Sequence, residues 1–208
     1  SEINSIVIDV KDYSGRITFD TEDELIKSGG AEELRIKDLK EFIETLHDAG
    51  IYAIARITVF QDPFYAKKHL DIAVQKKNGT LWKDRKGLSY IDPGASEYWD
   101  YIVTIARAAE RAGFDELNFD YIRFPSDGNM ADIAFPISGG RNKVEILSEF
   151  FAYLKNKAKF QEFKLLEGNQ LRKWIRDYID EQKGRIDSSA IEKLIEYISN
   201  DLWRMKNE

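Results

Sequence analysis

The sequence predicts an α/β fold: parallel strands joined by helical crossovers, followed by a short α-helical tail. Three observations point there. Short β-branched runs such as Ile6–Val10 alternate with stretches whose apolar residues recur at helical spacing. That alternation makes the strands parallel and the crossovers right-handed. After Phe160 no further strand run occurs, and two amphipathic stretches close the chain.

Ile6-Val7-Ile8-Asp9-Val10 reads as a strand buried on both faces. Asp12 to Asp20 read as loop, with Ser14-Gly15 as a turn. From Arg35 to Ala49, Ile36, Leu39, Phe42, Ile43 and Leu46 form one helical stripe, and Gly50 stands at the favoured C-cap. Ile51 to Phe60 predict a second strand, which Asp62-Pro63 breaks. Phe64 to Gln75 are expected to be helical. Asn78-Gly79 marks a hairpin before Thr80-Leu81-Trp82. A short strand is expected at Leu88–Ile91, then a turn at Asp92-Pro93-Gly94. Ser96 is expected to cap a helix that runs to Ala112 with Trp99, Ile102, Val103 and Ile105 among its apolar residues, and Gly113 closes it. Glu116 to Tyr121 predict a third core strand, residues 124–141 a long loop, and Asn142 to Ala158 a helix. Leu171–Gln182 and Ser189–Arg204 predict two helices joined through Gly184. The change of character places a boundary near Lys159 to Glu167, giving a first domain over 1–159 and a helical segment over 160–208.

The chain has 208 residues, 43% of them hydrophobic, enough for one domain with a real core. It is short for a complete (β/α)8 barrel, which takes about 250 residues. The net charge of −6 and the mixing of both signs give no nucleic-acid footprint over 1–159. With no cysteine, disulfides and thiolate metal sites are excluded, while the compartment stays undecided. No apolar run spans a bilayer and no signal segment is seen, so the chain reads as beginning inside a fold. His47 and His69 are isolated histidines, and no metal or cofactor is implied. A doubly wound sheet would give the same alternation as a barrel. No Gly-x-Gly-x-x-Gly and no phosphate loop follows a strand, which disfavours nucleotide binding.

Side chains alternate along a strand. If Leu117, Phe119 and Tyr121 face the helices, Asn118 and Asp120 face the other way, with Asp120 at the carboxyl end. The same parity turns Asp9 inward with Val7, and Arg56 with Thr58. In a barrel, Asp9, Arg56 and Asp120 would converge near the mouth where barrel enzymes keep their chemistry. Glycoside hydrolysis commonly uses two carboxyl groups, one of them an ionised nucleophile or base. An arginine neighbour keeps a carboxylate ionised, so Asp120 beside Arg56 or Arg123 fits that role. Asp9 and Asp12 are candidates for substrate hydroxyls, and Trp82, Tyr90 and Tyr121 for sugar-stacking faces. Beside these stand plainer readings: a structural Asp–Arg salt bridge, and Trp82 and Tyr90 as packing residues.

Several blocks occur in order: Ser5 to Asp12, Ala53 to Phe60 with Asp62-Pro63, Leu81-Trp-Lys-Asp84, Tyr90-Ile-Asp-Pro93, and Phe114 to Gly128 with Phe119-Asp-Tyr-Ile-Arg-Phe-Pro125. Over residues 3–159 they resemble the glycosyl hydrolase domain family catalogued as DUF4015, similar in turn to α-amylase-like and α-galactosidase-like barrels. The resemblance implies a partial (β/α) TIM-type barrel, with Phe119–Pro125 at the family's fourth strand and Asp120 as nucleophile by analogy of fold. It implies a carbohydrate substrate, for which the parity and chemistry above offer Asp9, Asp12, Arg56, Trp82, Tyr90, Asn118, Tyr121 and Arg123 as binding candidates. It further implies hydrolysis of O-glycosyl bonds in a polysaccharide, and an extracellular or cell-envelope setting for the parent family.

The family's first strand and its strands five to eight have no counterpart here, so the barrel reads as truncated and its partner acid is missing. Open sheet edges then invite self-association. The tail, from Phe163 to Arg176, Gly184 to Ala190 and Ser199 to Trp203 through Asn207-Glu208, resembles the helical region of the delta subunit of the DNA polymerase III clamp loader. That resemblance implies a fusion of unrelated segments. The alternative to an enzyme is a non-catalytic carbohydrate-binding or interaction module.

Overall fold

The computed structural model describes residues 3–159 and 166–198. The chain divides into two compact units, Ser1–Ala158 and Lys159–Glu208. The first runs β1 (Ser5–Lys11), α1 (Glu24–Gly29), α2 (Leu39–Asp48), β2 (Tyr52–Thr58), α3 (Pro63–Lys68), β3 (Gln75–Lys76), α4 (Ser96–Arg111), β4 (Glu116–Asp120), a 3-10 turn at Met130–Asp132, β5 (Ile133–Ala134) and α5 (Lys143–Lys157).

β1, β2 and β4 form a parallel sheet in that order. Ala53, Ala55, Ile57 and Val59 along β2 and just past it are fully buried. They share one core with Ile43 of α2, Ile102 and Ile105 of α4, and Phe150 of α5. The other parity of the same strands carries Val7, Asp9, Arg56, Asn118 and Asp120, none of them buried. Strand alternation therefore separates an apolar face, covered by helices, from a polar face that meets solvent. The described residues show a mixed α/β fold with a small parallel sheet and several helices. They do not show a closed barrel.

Several elements differ from the sequence expectation for local reasons. The helix expected from Arg35 begins at Leu39, because the Arg35 and Ile36 N–H groups donate to Thr18 O at 2.9 and 3.0 Å. The helix expected over Phe64–Gln75 stops at Lys68, and Gln75 and Lys76 pair with Ala134 and Ile133 in an antiparallel ribbon. That pairing also puts a strand inside the segment expected to be loop. Leu88–Ile91 makes single bridges, Tyr90 to Gln61 and Ile91 to Ala73, in place of a strand. Ser96 lies inside α4; the cap position is Ala95, with no side-chain cap. Asn142 does cap α5, its side chain accepting from Val144 N at 2.9 Å. α1 was not expected; Asp23 caps it by accepting from Leu25 N.

The second unit holds α6 (Gly168–Glu181) and α7 (Ser188–Ile198). Leu171, Ile175 and Ile191 form its core, and Arg172 pairs with both carboxylate oxygens of Glu192 at 2.6 and 3.0 Å. The expected extension to Arg204 lies outside the described residues. So do Phe163–Leu165 and Ser199–Glu208 of the tail's sequence resemblance. Among the described residues no helix is long and apolar enough to cross a membrane.

Candidate active site

Parallel register sets the polar face. Asp9 pairs with Arg56, Arg56 with Asn118, and Thr58 with Asp120. Arg56 reaches forward and donates from Nε at 2.9 Å and from Nη2 at 2.5 Å to Asp120 Oδ2. Its Nη1 lies 3.5 Å from Asp9 Oδ1. Asp120 Oδ1 accepts from Tyr121 N at 2.6 Å. Partial burial pushes the Asp120 carboxyl up. The Arg56 and Tyr121 hydrogen bonds and the charges of Arg56 and Arg123 outweigh that and hold it below its ordinary value. Asp120 is thus an ionised carboxylate with 38% of its side chain exposed. Tyr121 follows with φ of 54°, a region that non-glycine residues seldom occupy, so the chain turns sharply at the strand's end.

A cavity of ≈ 500 Å³ opens at the carboxyl ends of the three strands. Asp9, Arg56, Thr58, Tyr121 and Arg123 line it from the sheet side. Asp84, Tyr90 and Asp127 line it from the excursions after β3 and β4. The Arg123 guanidinium stands over the Tyr121 and Tyr90 rings, 5.2 and 5.9 Å from their centroids. Tyr90 donates to Gln61 Oε1 at 3.0 Å and Asp84 Oδ2 at 3.3 Å. Burial pushes its phenol up to about 12, against the pull of Arg123 and with the help of Asp84 and Asp127. It therefore stays a hydrogen-bond donor at neutral pH.

Of the residues singled out in the sequence, Asp9, Arg56, Tyr90, Tyr121 and Arg123 come together on this wall. Asp120 stands just behind them, joined through Arg56 and Tyr121. Asn118 is exposed on the same sheet face but does not line the cavity. Asp12 is placed elsewhere: Oδ1 accepts from Ser14 N and Oγ at 2.8 and 2.6 Å, and Oδ2 from Arg35 Nη1 at 2.6 Å. It organises a loop. Trp82 is 1% exposed and packs with Val74, Tyr90, Ile133 and Phe135, its Nε1 donating to Asn129 O at 3.0 Å. Tyr90 beside it is 2% exposed, so the burial of both rings fits the packing reading of the sequence and not sugar stacking.

Sequence reasoning missed Tyr13, Gln61, Asp84 and Asp127 on the cavity wall. Gln61 lies just past the second strand, where barrel sites collect, so its position was a usable signal. It also missed a buried ion pair beneath the site. Lys11 and Asp62 are both 0% exposed, with Nζ 3.0 Å from Asp62 Oδ2 and 2.6 Å from Thr58 O. Tyr98 Oη donates to Asp62 Oδ2 at 2.7 Å, and Tyr65 N to Oδ1 at 2.8 Å. Burial pushes the Lys11 ammonium down while Asp62 pulls it up. Gly15 is required here: its φ is +83°, and a Cβ would lie 1.9 Å from Asp62 Oδ1. Among the described residues no group of three or more His, Asp or Glu is arranged to hold a metal ion.

Among solved structures, the chain is similar to a hypothetical protein from Ruminiclostridium thermocellum ATCC 27405. Identity is 35% and the TM-score 0.69, over 76% of this chain and 80% of that one. At lower similarity stand the α-L-fucosidase isoenzyme 2 of Paenibacillus thiaminolyticus (15% identity, TM-score 0.47, 75% of this chain and 24% of that one) and a GH31 α-xylosidase from a soil metagenome (16%, 0.47, 77% and 24%). No curated protein matches the chain. The sequence profile of DUF4015, described as "Putative glycosyl hydrolase domain", matches residues 1–196, beyond the change of character near Lys159. The chain belongs to the DUF4015 family.

Proposed function

We propose that the chain is a glycoside hydrolase domain acting on a polysaccharide, with Asp120 as its nucleophile. The observation that carries this reading is the Arg56–Asp120 pair at the strand ends, within a family described as "Putative glycosyl hydrolase domain". An ionised carboxylate beside a cavity of ≈ 500 Å³ suits attack on an anomeric carbon. In that step Asp120 forms the new C–O bond as the glycosidic C–O bond breaks. Arg56 and the Tyr121 N–H fix the carboxylate's direction. The neighbouring rings and polar groups of the wall orient the sugar. The sheet, with helices packed on its apolar face, supports reading the fold as part of a (β/α) barrel, since a doubly wound sheet carries helices on both faces. We read both units as one family's chain because the family match runs to residue 196. A clamp-loader-like origin of the tail rests on its sequence resemblance alone. β1 and β4 flank the sheet, which supports self-association by edge pairing.

The test is release of reducing ends from a panel of neutral and acidic polysaccharides by the whole chain and by Asp120→Asn. Release by the first and none by the second supports the assignment; equal release removes Asp120 from the mechanism. A second reading is glycan binding without turnover. Two observations favour it: both Asp120 oxygens already accept hydrogen bonds, and Asp120 stands behind the wall. Retarded migration in polysaccharide gels with no release of reducing ends would establish it.

A further inference from the structure

Resting on the hydrolase reading, we propose that Asp127 is the acid/base partner of Asp120 in the same site. Three carboxylates line the cavity: Asp9, Asp84 and Asp127. A carboxyl that must carry a proton is poorly placed beside a guanidinium, and Asp9 has Arg56 Nη1 at 3.5 Å. Asp84 is spent on structure: Oδ1 accepts from Lys86 N at 2.9 Å and Leu88 N at 2.8 Å, and Oδ2 from Tyr90 Oη at 3.3 Å. Asp127 makes no hydrogen bond or ion pair among the described residues and is exposed. That leaves Asp127 as the wall carboxyl with no bonded partner among the described residues, and the one to protonate the leaving oxygen.

The residues on either side of Asp127 are nevertheless tied down. On one side Arg123 Nη1 donates to Ser126 Oγ at 2.9 Å. On the other Trp82 Nε1 donates to Asn129 O at 3.0 Å. Between them Gly128, at φ +97°, lies so close to Trp82 that a Cβ would meet Cζ2 at 2.8 Å. A buried ring thus supports the loop that carries a free carboxyl to the cavity, as an acid on a loop requires. The buried Trp82 then has a use in the site without touching sugar. The other charged groups on the wall are Asp9, Arg56, Asp84, Lys86 and Arg123.

In the first half-reaction Asp127 gives its proton to the glycosidic oxygen as Asp120 bonds to the anomeric carbon, so the leaving sugar departs as a neutral alcohol. In the second, the Asp127 carboxylate takes a proton from water as that water's oxygen bonds to the anomeric carbon and the Asp120 ester breaks. Both residues return to their starting forms, and the sum is one water consumed.

The experiment uses the whole chain and paired aryl glycosides of a panel of sugars, with 2,4-dinitrophenol or phenol as leaving group. Protonic assistance matters only for the poor leaving group. Asp127→Ala and Asp127→Asn are expected to lose about 10²–10⁴-fold in kcat/KM on the phenyl glycoside that the unmodified chain hydrolyses. On the dinitrophenyl glycoside they are expected to keep kcat/KM within about tenfold while kcat falls, because water now attacks the Asp120 ester without a base. Added azide, which needs none, should restore kcat and give a glycosyl azide, and the alkaline limb of the kcat/KM profile on the phenyl glycoside should be lost. Equal loss on both leaving groups, or no loss, overturns the assignment and leaves Asp120 standing. No turnover of any glycoside by the unmodified chain overturns the hydrolase reading and this proposal with it.

Discussion

Arg56 and Asp120 occupy neighbouring parallel strands one pleat apart, Arg56 opposite Asn118 and Asp120 opposite Thr58. They meet because the guanidinium leans along the sheet and gives two hydrogen bonds to a single carboxylate oxygen, Oδ2. The second oxygen is held by the chain's own turn at Tyr121.

Removing that guanidinium should raise the Asp120 pKa. In Arg56→Met, carbon-detected NMR of the side-chain carboxyl is expected to show titration moved up to or above the ordinary value of about 3.9. The sign for stability follows. Because the folded-state pKa is depressed, the Asp120 contribution is present above the unfolded value and is lost as pH falls through the folded one. Arg56→Met should flatten that acid-side loss. An unmoved titration would mean the pair does not form in solution.

The buried Lys11–Asp62 pair should be intolerant of losing one partner. Lys11→Met alone leaves a buried carboxylate with only hydroxyl and amide donors, and is expected to cost about 3–5 kcal/mol in urea denaturation. Lys11→Met with Asp62→Leu is expected to cost less than the two single changes added together. Strict additivity would contradict the contact.

Trp82→Ala is expected to act on stability. It removes a ring packed against Val74 and Tyr90, at a cost of about 3–5 kcal/mol, and strands the Asn129 carbonyl. A variant with unchanged melting but weaker glycan binding would place the ring on the surface after all.

Asp92 pins the long excursion after β4. Its Oδ2 accepts from Ile137 N and Ser138 N at 2.8 and 2.9 Å, and its Oδ1 from Gly94 N at 3.1 Å and from Ser138 Oγ. Asp92→Ala should open residues 124–141 to limited proteolysis while α4 stays protected. Identical digestion patterns would show the loop is held by something else.

Much of the sheet was legible because side-chain period depends only on counting. Asp9, Arg56 and Asp120 are related by parity, and β1, β2 and β4 end within two residues of expectation. What parity omits is reach. Asp12 is next to the strand end, yet Ser14 and Arg35 claim it. Trp82 follows a turn signal that suits exposure, but the β3–β5 ribbon, set by a contact distant in sequence, covers it. Lys11 was unreadable because a register shift after Asp9 turns a charged residue into the core to meet Asp62. Asp127 sat in a stretch read as loop, where no periodicity marks function; only its neighbours on the cavity wall single it out.

Whether Asp120 is the nucleophile is decided by reducing-end release from the whole chain against Asp120→Asn, each checked for a cooperative thermal transition. With Asp120 as nucleophile, the unmodified chain releases reducing ends and the folded variant loses about 10³-fold or more of that activity. A folded variant as active as the parent, or a parent inactive on every polysaccharide tried, would contradict it.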